Sequence, residues 1–466
     1  MLTNFAARAD NHNYRLDPII RSLLDIDWYK LVMLQFIWKY FSDTKVTVSL
    51  INRKRSVRIA DDIDEAELCR QLDHTCALRV AKSESIWIAG NMFYGLRGIF
   101  EPAFIAWFAD IRLPGYRLEK IDGQWVLTFE GRWEQTTLWE IYALSIISEL
   151  RTRAALARLT EFELDILYAR AKAKLWSKIE RLRGIPGLKL ADFGTRRRHS
   201  FLWQEYVVLA LKSELGAAFA GTSNVYLAYK HDMEAIGTYA HELHMVLAAL
   251  SLDGKLGDLT LKDSQYEVLR LWIEMYGGAM MIALPDTFGS TQFYRNAPAW
   301  VAKAISGIRL DSKAPFAGGD EAIQFFANAG EDPLGKLLIP SDGLDVGDII
   351  SLHAHFGGRI GDGFNARTDF HDAKDFLDPA KWTHEPRIRD SAGWGTLLTN
   401  DFRGCHPRGW TDLDPISLVC KVSHVEGRPA VKLSDNYEKA TGPASEIALY
   451  RETFGSEGVT GAPVLV

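Results

Sequence analysis

Cysteine is scarce in this sequence, and positive charge is in deficit. Four cysteines, Cys69, Cys76, Cys405 and Cys420, are spread over 466 residues without a CxxC pair. That pattern argues against both a disulfide framework and a thiolate metal centre, and reduced thiols in a cytoplasmic protein are the expectation. A net charge of −6 argues against general nucleic-acid binding, because a surface that tracks phosphates shows in the charge balance. Any anion site must then be local. Long uncharged apolar runs are missing, and the opening residues MLTNFAARADNHNYR contain no apolar core of a signal peptide. Neither a membrane span nor export is expected. Hydrophobic residues make up 47% of the chain, which leaves no room for extensive disorder, and the length suits two or three domains.

The stretch from Leu190 to Met245 writes one pattern three times: LADFGTRRRHS, AAFAGTSNVYLAYKH and EAIGTYAHELHM. Each copy is an apolar run, a Gly-Thr turn and a helical pattern, and so reads as strand, polar turn, helix. Glycine lets the backbone approach a ligand closely, and the following helix presents unpaired N–H groups, so such turns suit phosphate oxygens. Arg196, Arg197 and Arg198 lie beside the first turn. A run of three arginines is commonly a solvated surface, but their position just after a strand end favours an anion site.

Around this stretch, residues 19–40 have helical spacing, with Asp27-Trp28-Tyr29-Lys30 on the predicted helix, and on periodicity alone Tyr29 is a core aromatic. TKVTVSLINR alternates as a half-buried strand, residues 61–80 look helical, and residues 116–132 read as a hairpin around Asp122-Gly123. Helices are expected over 139–150 and 154–183, the second stopped by Gly184-Ile185-Pro186-Gly187. Further apolar runs end in Asp286-Thr287-Phe288-Gly289, Asp311-Ser312, Ser341-Asp342-Gly343 and Gly393-Trp394-Gly395-Thr396. Residues 360–389 form a charged, Asp- and Gly-rich insertion, and ISLVCKVSHVEGRPAVKL is a hairpin around Glu426-Gly427 that can return to the first domain.

Polar turns repeated between strand and helix argue for a parallel sheet with crossover helices. A closed β/α barrel would bring all of them to one face, whereas an open doubly wound sheet would bring them to a switch point. The unbroken succession of units favours the barrel. The expected layout is a mixed α/β domain over 1–135, an irregular barrel over 136–405 and a C-terminal hairpin segment over 406–466.

DWYK, DFGTRRRHS, GTSNVYLA, GTYAHELH, LPDTFGS, IRLDS, PSDGLD, GWGTLLTND and PISLVCKVSHVEGRPAVKLSD, taken in order across nearly the whole chain, resemble nicotinate phosphoribosyltransferase. The resemblance implies an α/β protein with the type II phosphoribosyltransferase fold, an irregular β/α barrel plus a mixed α/β domain formed by both termini. It implies synthesis of nicotinate mononucleotide from nicotinate and phosphoribosyl pyrophosphate, the first step of NAD synthesis from nicotinate, with ATP hydrolysis driving the equilibrium. It further implies Mg²⁺ and a homodimer with shared sites.

By that resemblance, Phe193 and a Tyr29 reaching in from the other subunit sandwich the pyridine ring. Arg196 and Arg309 pair with carboxylate or phosphate, and Thr238 and Arg309 match positions that contact nicotinate. Ser341-Asp342-Gly343 and Gly395-Thr396 match loops that hold the ribose phosphate, and Asp311 binds ribose hydroxyls or Mg²⁺. His241 matches the histidine that ATP phosphorylates, while His244 has no assigned role. The sequence departs from the family where Asp311-Ser312-Lys313-Ala314 replaces Asp-Ser-Gly-Asp, which puts the metal or ribose contacts there in doubt, and at Asp192, where glutamate is common. Two other readings stay open: a nicotinamide phosphoribosyltransferase, disfavoured by GTRRR and GTxxHE, and a barrel that binds an anionic metabolite without catalysis.

Overall fold

Strand β1 (Lys45–Asn52) runs through the middle of an antiparallel sheet. Its Val46, Val48 and Leu50 are buried while the residues between them are less so, the period of two expected of a sheet packed on one face. The structure, a computed structural model, describes residues 17–277, 280–341, 343–357, 359 and 392–461. The expected insertion over 360–390 and Asp342 therefore lie outside the described residues. A small hairpin, β2 (Met92–Phe93) and β3 (Leu96–Arg97), stands apart from the main sheet. On one side β1 pairs with β5 (Gln124–Arg132), the second arm of a hairpin that begins with β4 (Tyr116–Ile121).

Asp122 and Gly123 link β4 to β5 with φ of 49° and 73°. Two left-handed residues in succession match the right-handed twist of the flanking strands, which is why an Asp-Gly pair at this point reads as a hairpin.

Six short strands carry the middle of the chain: β6 (Leu190–Asp192), β7 (Phe219–Thr222), β8 (Ile282–Ala283), β9 (Gly307–Leu310), β10 (Leu337–Pro340) and β11 (Ala392–Trp394). They form two three-stranded parallel sheets, ordered β11-β6-β7 and β10-β9-β8. The result is an interrupted β/α barrel with helices outside it. The third copy of the repeated pattern departs from expectation, since Ala235 makes only a single bridge to Thr222. Residues 232–240 otherwise follow an irregular path.

The chain then returns to the first sheet. On the far side of β1 lies β12 (Leu418–Val425), which turns through Glu426 (φ 51°) and Gly427 (φ 87°) into β13 (Arg428–Pro429). The sheet order is β13-β12-β1-β5-β4, so the expected hairpin packs on the N-terminal sheet.

Helix boundaries differ from the periodicity in three places. The first helix is Trp28–Tyr40 and not 19–40, because the backbone of Leu24, Ile26 and Trp28 is hydrogen-bonded to residues 223–226 and cannot also close helical turns. The expected pair 139–150 and 154–183 is Trp139–Leu156 and Glu161–Leu182. Thr160 and Glu163 form a capping box there, which fixes the second start. The segment 61–80 holds Ile59–Asp62 and Glu65–Ala77, the latter capped by Asp64. Among the described residues no helix is long and apolar enough to cross a membrane.

Candidate active site

Parallel strands end on the same edge of a barrel, and here those ends deliver Phe193 after β6, Asp286 after β8, Asp311 after β9, Ser341 after β10 and Gly395 after β11. All but Asp286 line one cavity of about 220 Å³, together with Arg309, Gly343 and Thr396. Thr238 is buried but does not line it. The opposite wall comes from the antiparallel sheet: Val419 and Lys421, two apart on β12, with Arg53, Lys432 and Lys439. The cavity thus has one wall from the barrel and one from the segment that the two ends of the chain build together.

Asp192 shapes the first turn. It accepts hydrogen bonds from the Gly194 N–H (2.8 Å), Gln204 (2.9 Å) and Thr222 (2.8 Å), and burial pushes its pKa up to about 6. Phe193 is thereby presented to the cavity. Across from it is Tyr29, whose hydroxyl is buried without a hydrogen-bond partner. Gly237 packs against both, since a Cβ placed on it would lie 3.4 Å from Tyr29 Cβ and 3.7 Å from Phe193 Cε1. This corrects the expectation that Tyr29 reaches in from another subunit, because Tyr29 and Phe193 come together within one chain. The physical reason is the tie between residues 24–28 and 223–226, which fixes the start of the Trp28–Tyr40 helix against the barrel edge.

The three arginines have separate roles. Arg198 is fully buried and grips both carboxylate oxygens of Asp25, at 2.7 and 2.8 Å. It is an internal ion pair that joins the barrel to the segment before the first helix. Arg196 reaches the cavity, where Glu140 Oε1 is 2.9 Å and Asp27 Oδ2 is 3.5 Å away. Arg197 lines the rim.

Glu140 also accepts the ammonium of Lys30 at 2.7 Å, and Lys30 in turn contacts Glu242, which takes hydrogen bonds from Trp133 (2.6 Å) and Thr137 (2.7 Å). Burial opposes ionisation of Glu140, but Lys30 and Arg196 overcome it and hold its pKa near 2. Arg309 differs from Arg196 in having little to hold. Its closest hydrogen bond runs to the Tyr239 carbonyl at 3.4 Å, and its Nε is buried without a partner.

His241 stands at the start of the helix Glu242–Leu252. Its Nε2 is 2.9 Å from Asp311 Oδ2 and its Nδ1 is 2.9 Å from Thr287 Oγ1. Burial first, then the Lys432 ammonium, push its pKa down to about 4. It is therefore neutral at pH 7. Asp311 is ionised, its pKa held well below the usual range by His241, Lys432 and Arg309 against the opposing effect of burial. An ionised carboxylate only accepts, so Nε2 carries the proton and Nδ1 the lone pair.

Asp286, Asp311 and His241 place one ligand atom each within 4.8 Å of one another. Asp286 Oδ1 is buried and unpartnered. Lys432 lies 3.6 Å from Asp286 Oδ2 and 4.0 Å from Asp311 Oδ2. The departure at Lys313 leaves this group intact, because Lys313 turns away to Thr291 (2.9 Å) and Glu321. His244 is buried with both ring nitrogens unpartnered and does not line the cavity.

Arg53, Lys421, Lys432 and Lys439 were not among the residues the sequence singled out. The period of two along ISLVCKVSHV places Ser417, Val419 and Lys421 on one face; only the packing shows that this face meets the barrel edge. Lys421 makes no hydrogen bond or ion pair among the described residues, and burial, Lys432 and Arg53 depress its pKa well below the lysine range. Such a group gains by meeting an anion.

Two family models match the chain: the nicotinate phosphoribosyltransferase family over residues 188–457 and its N-terminal domain over residues 24–148. Among solved structures, nicotinate phosphoribosyltransferase from Vibrio cholerae superposes with a TM-score of 0.77 at 29% identity, covering 96% of each chain. The enzyme from Porphyromonas gingivalis gives 0.76 at 26% identity, over 94% of this chain and 100% of that one. The chain belongs to the nicotinate phosphoribosyltransferase family and has the type II phosphoribosyltransferase fold.

Proposed function

Proceeding from that membership, we propose that this chain transfers the phosphoribosyl group of phosphoribosyl pyrophosphate to the ring nitrogen of nicotinate, giving nicotinate mononucleotide and pyrophosphate. The observation that carries the reading is Arg309, a half-buried arginine whose buried Nε has no partner, on the same cavity as the Tyr29 and Phe193 rings. A flat anion fits there, with its ring between the aromatics and its carboxylate on the arginine. The nitrogen lone pair attacks the anomeric carbon, and the carbon–oxygen bond to pyrophosphate breaks with its electron pair leaving on oxygen. The enzyme's contribution is to align the two and to stabilise the departing charge. Lys421, Lys432 and Arg196 supply that positive field, and Ser341, Gly343, Gly395 and Thr396 hold the ribose phosphate.

ATP acts through His241 in this reading. Nδ1, the nitrogen with the lone pair, attacks the terminal phosphorus of ATP, and the bond to ADP breaks. Asp311 keeps the proton on Nε2 and stabilises the positive ring that forms. Hydrolysis of the phosphohistidine then drives synthesis forward. Asp286 and Asp311 suit Mg²⁺, which prefers carboxylate and phosphate oxygens to imidazole and would offset phosphate charge when bound.

The test is to incubate the protein with phosphoribosyl pyrophosphate and Mg²⁺, with nicotinate or nicotinamide, and with or without ATP. Nicotinate mononucleotide formed faster with ATP is the expected result. Equal use of nicotinamide would remove Arg309 as the selector, and absence of any product would leave a binding protein.

A further inference from the structure

The small hairpin β2–β3 touches the site at one point. Tyr94, at its tip, has φ of +54° and is followed by Gly95 at +77°, the left-handed pair that a two-residue hairpin turn requires. The turn points the Tyr94 hydroxyl at the irregular loop after Ala235. The Gly237 N–H donates to the Tyr94 hydroxyl at 2.6 Å, and that hydroxyl donates to the Gly237 carbonyl at 2.8 Å. In a sheet, one neighbouring residue takes both the N–H and the C=O of an extended residue. At this point a single phenol oxygen does so, where no strand is available.

Gly237 matters because of what lies against it. Its φ is +145°, and a Cβ there would come within 3.3 Å of the Tyr29 nitrogen and 3.7 Å of Phe193 Cε1. Gly237 therefore sits between the Phe193 ring and the base of the Tyr29 side chain, and the chain continues from it through Thr238 to His241. The same end of the hairpin is tied to the start of the first helix as well: Phe93 and Tyr94 pack on Trp28, with ring centroids 4.3 and 6.4 Å apart, one residue before Tyr29. The hairpin is thus attached to the helix bearing Tyr29 and to the loop that backs it.

We propose that Tyr94 is a positioning residue, whose hydroxyl fixes Gly237 and through it the width of the slot between Tyr29 and Phe193. The proposal rests on the reading that this slot takes nicotinate. Tyr94→Phe keeps the ring and its packing on Trp28 and removes only the hydroxyl. The expected result is a rise of about tenfold in KM for nicotinate, with KM for phosphoribosyl pyrophosphate changed by less than about twofold. Amides 237–240 should exchange with solvent at least about tenfold faster, while those of β1 and β12 keep their protection. A merely structural role would raise both KM values together and loosen the sheet as well, and that outcome would overturn the proposal. Unchanged exchange at 237–240 would overturn it too. If the unaltered protein makes no nicotinate mononucleotide, the enzymatic reading fails, whereas the exchange experiment still decides whether Tyr94 holds the loop.

Discussion

The two walls of the cavity hold charge in opposite ways. On the barrel wall most charged groups are satisfied internally: Arg196 has Glu140 and Asp27, Asp311 has the neutral His241, and Lys30 bridges Glu140 and Glu242, with Arg309 the exception. On the sheet wall Lys421 makes no ion pair among the described residues and is drawn to Glu140 and Asp311 only from beyond contact distance, and Lys432 has carboxylates only at 3.6 Å and beyond. A buried group paired in advance keeps its geometry, whereas a buried cation left short of anions is stabilised when an anion arrives. The difference suggests a division of labour, with the barrel wall orienting the reacting groups and the sheet wall receiving phosphate.

The largest effect should come from the most tightly held group. His241→Ala is expected to abolish nicotinate-stimulated ATP hydrolysis, a loss of at least about 100-fold, while slow ATP-independent synthesis remains. Full coupling in that variant would take the phosphate acceptor away from the barrel wall. Because Tyr29 and His241 line one cavity of one chain, mixing Tyr29→Ala with His241→Ala protein should restore no activity. Recovery on mixing would reinstate a site shared between subunits.

Two substitutions then set wall against wall. Lys421→Met should raise KM for phosphoribosyl pyrophosphate about ten- to hundredfold and leave nicotinate affinity nearly unchanged, since a charge-assisted contact contributes roughly 1.5–3 kcal/mol. Arg309→Gln should do the reverse, losing nicotinate affinity by a similar factor while the ratio of nicotinamide to nicotinate use rises. If either variant weakened both substrates equally, the division between the walls would be lost. Steady-state kinetics with each substrate varied in turn is enough to decide.

The smallest effect concerns acid. His199 lies under the barrel wall, stacked 3.6 Å from Phe402 and hydrogen-bonded to Tyr168 at 3.1 Å, and burial pushes its pKa from 6.5 down to about 3. The folded state keeps it neutral while the unfolded chain takes up a proton. Its contribution to stability is therefore fully present above pH 6.5 and is lost as pH falls from there toward 3, by up to about 1.4 kcal/mol per pH unit. Urea unfolding between pH 7 and 5 should show a shallower pH slope for His199→Gln than for the unaltered protein. Identical slopes would mean that the acid sensitivity lies elsewhere.

Much of this molecule was legible in the chain because it depends on neighbours in sequence. Asp122-Gly123 and Glu426-Gly427 gave the two hairpins, since a two-residue turn needs left-handed residues wherever it occurs. The polar turns after short apolar runs located Phe193, Asp311, Ser341 and Gly395, because a parallel strand must hand its next residue to the barrel edge. The boundary at Thr160 was also written locally, as a Thr-x-x-Glu capping box, but helical periodicity alone ran through it. Three other features depend on distant partners. Arg196 and Arg198 have the same sequence environment and part company only because Asp25 and Glu140 arrive from elsewhere in the chain. Tyr29 joins Phe193 in one chain because residues 24–28 bond to 223–226. Lys421 enters the cavity because β12 pairs with β1 across some 370 residues of sequence, Leu50 opposite Cys420. Local spacing determines which face of a strand a side chain occupies, but what that face meets is decided by which distant backbone satisfies its hydrogen bonds, and no neighbouring residue encodes that.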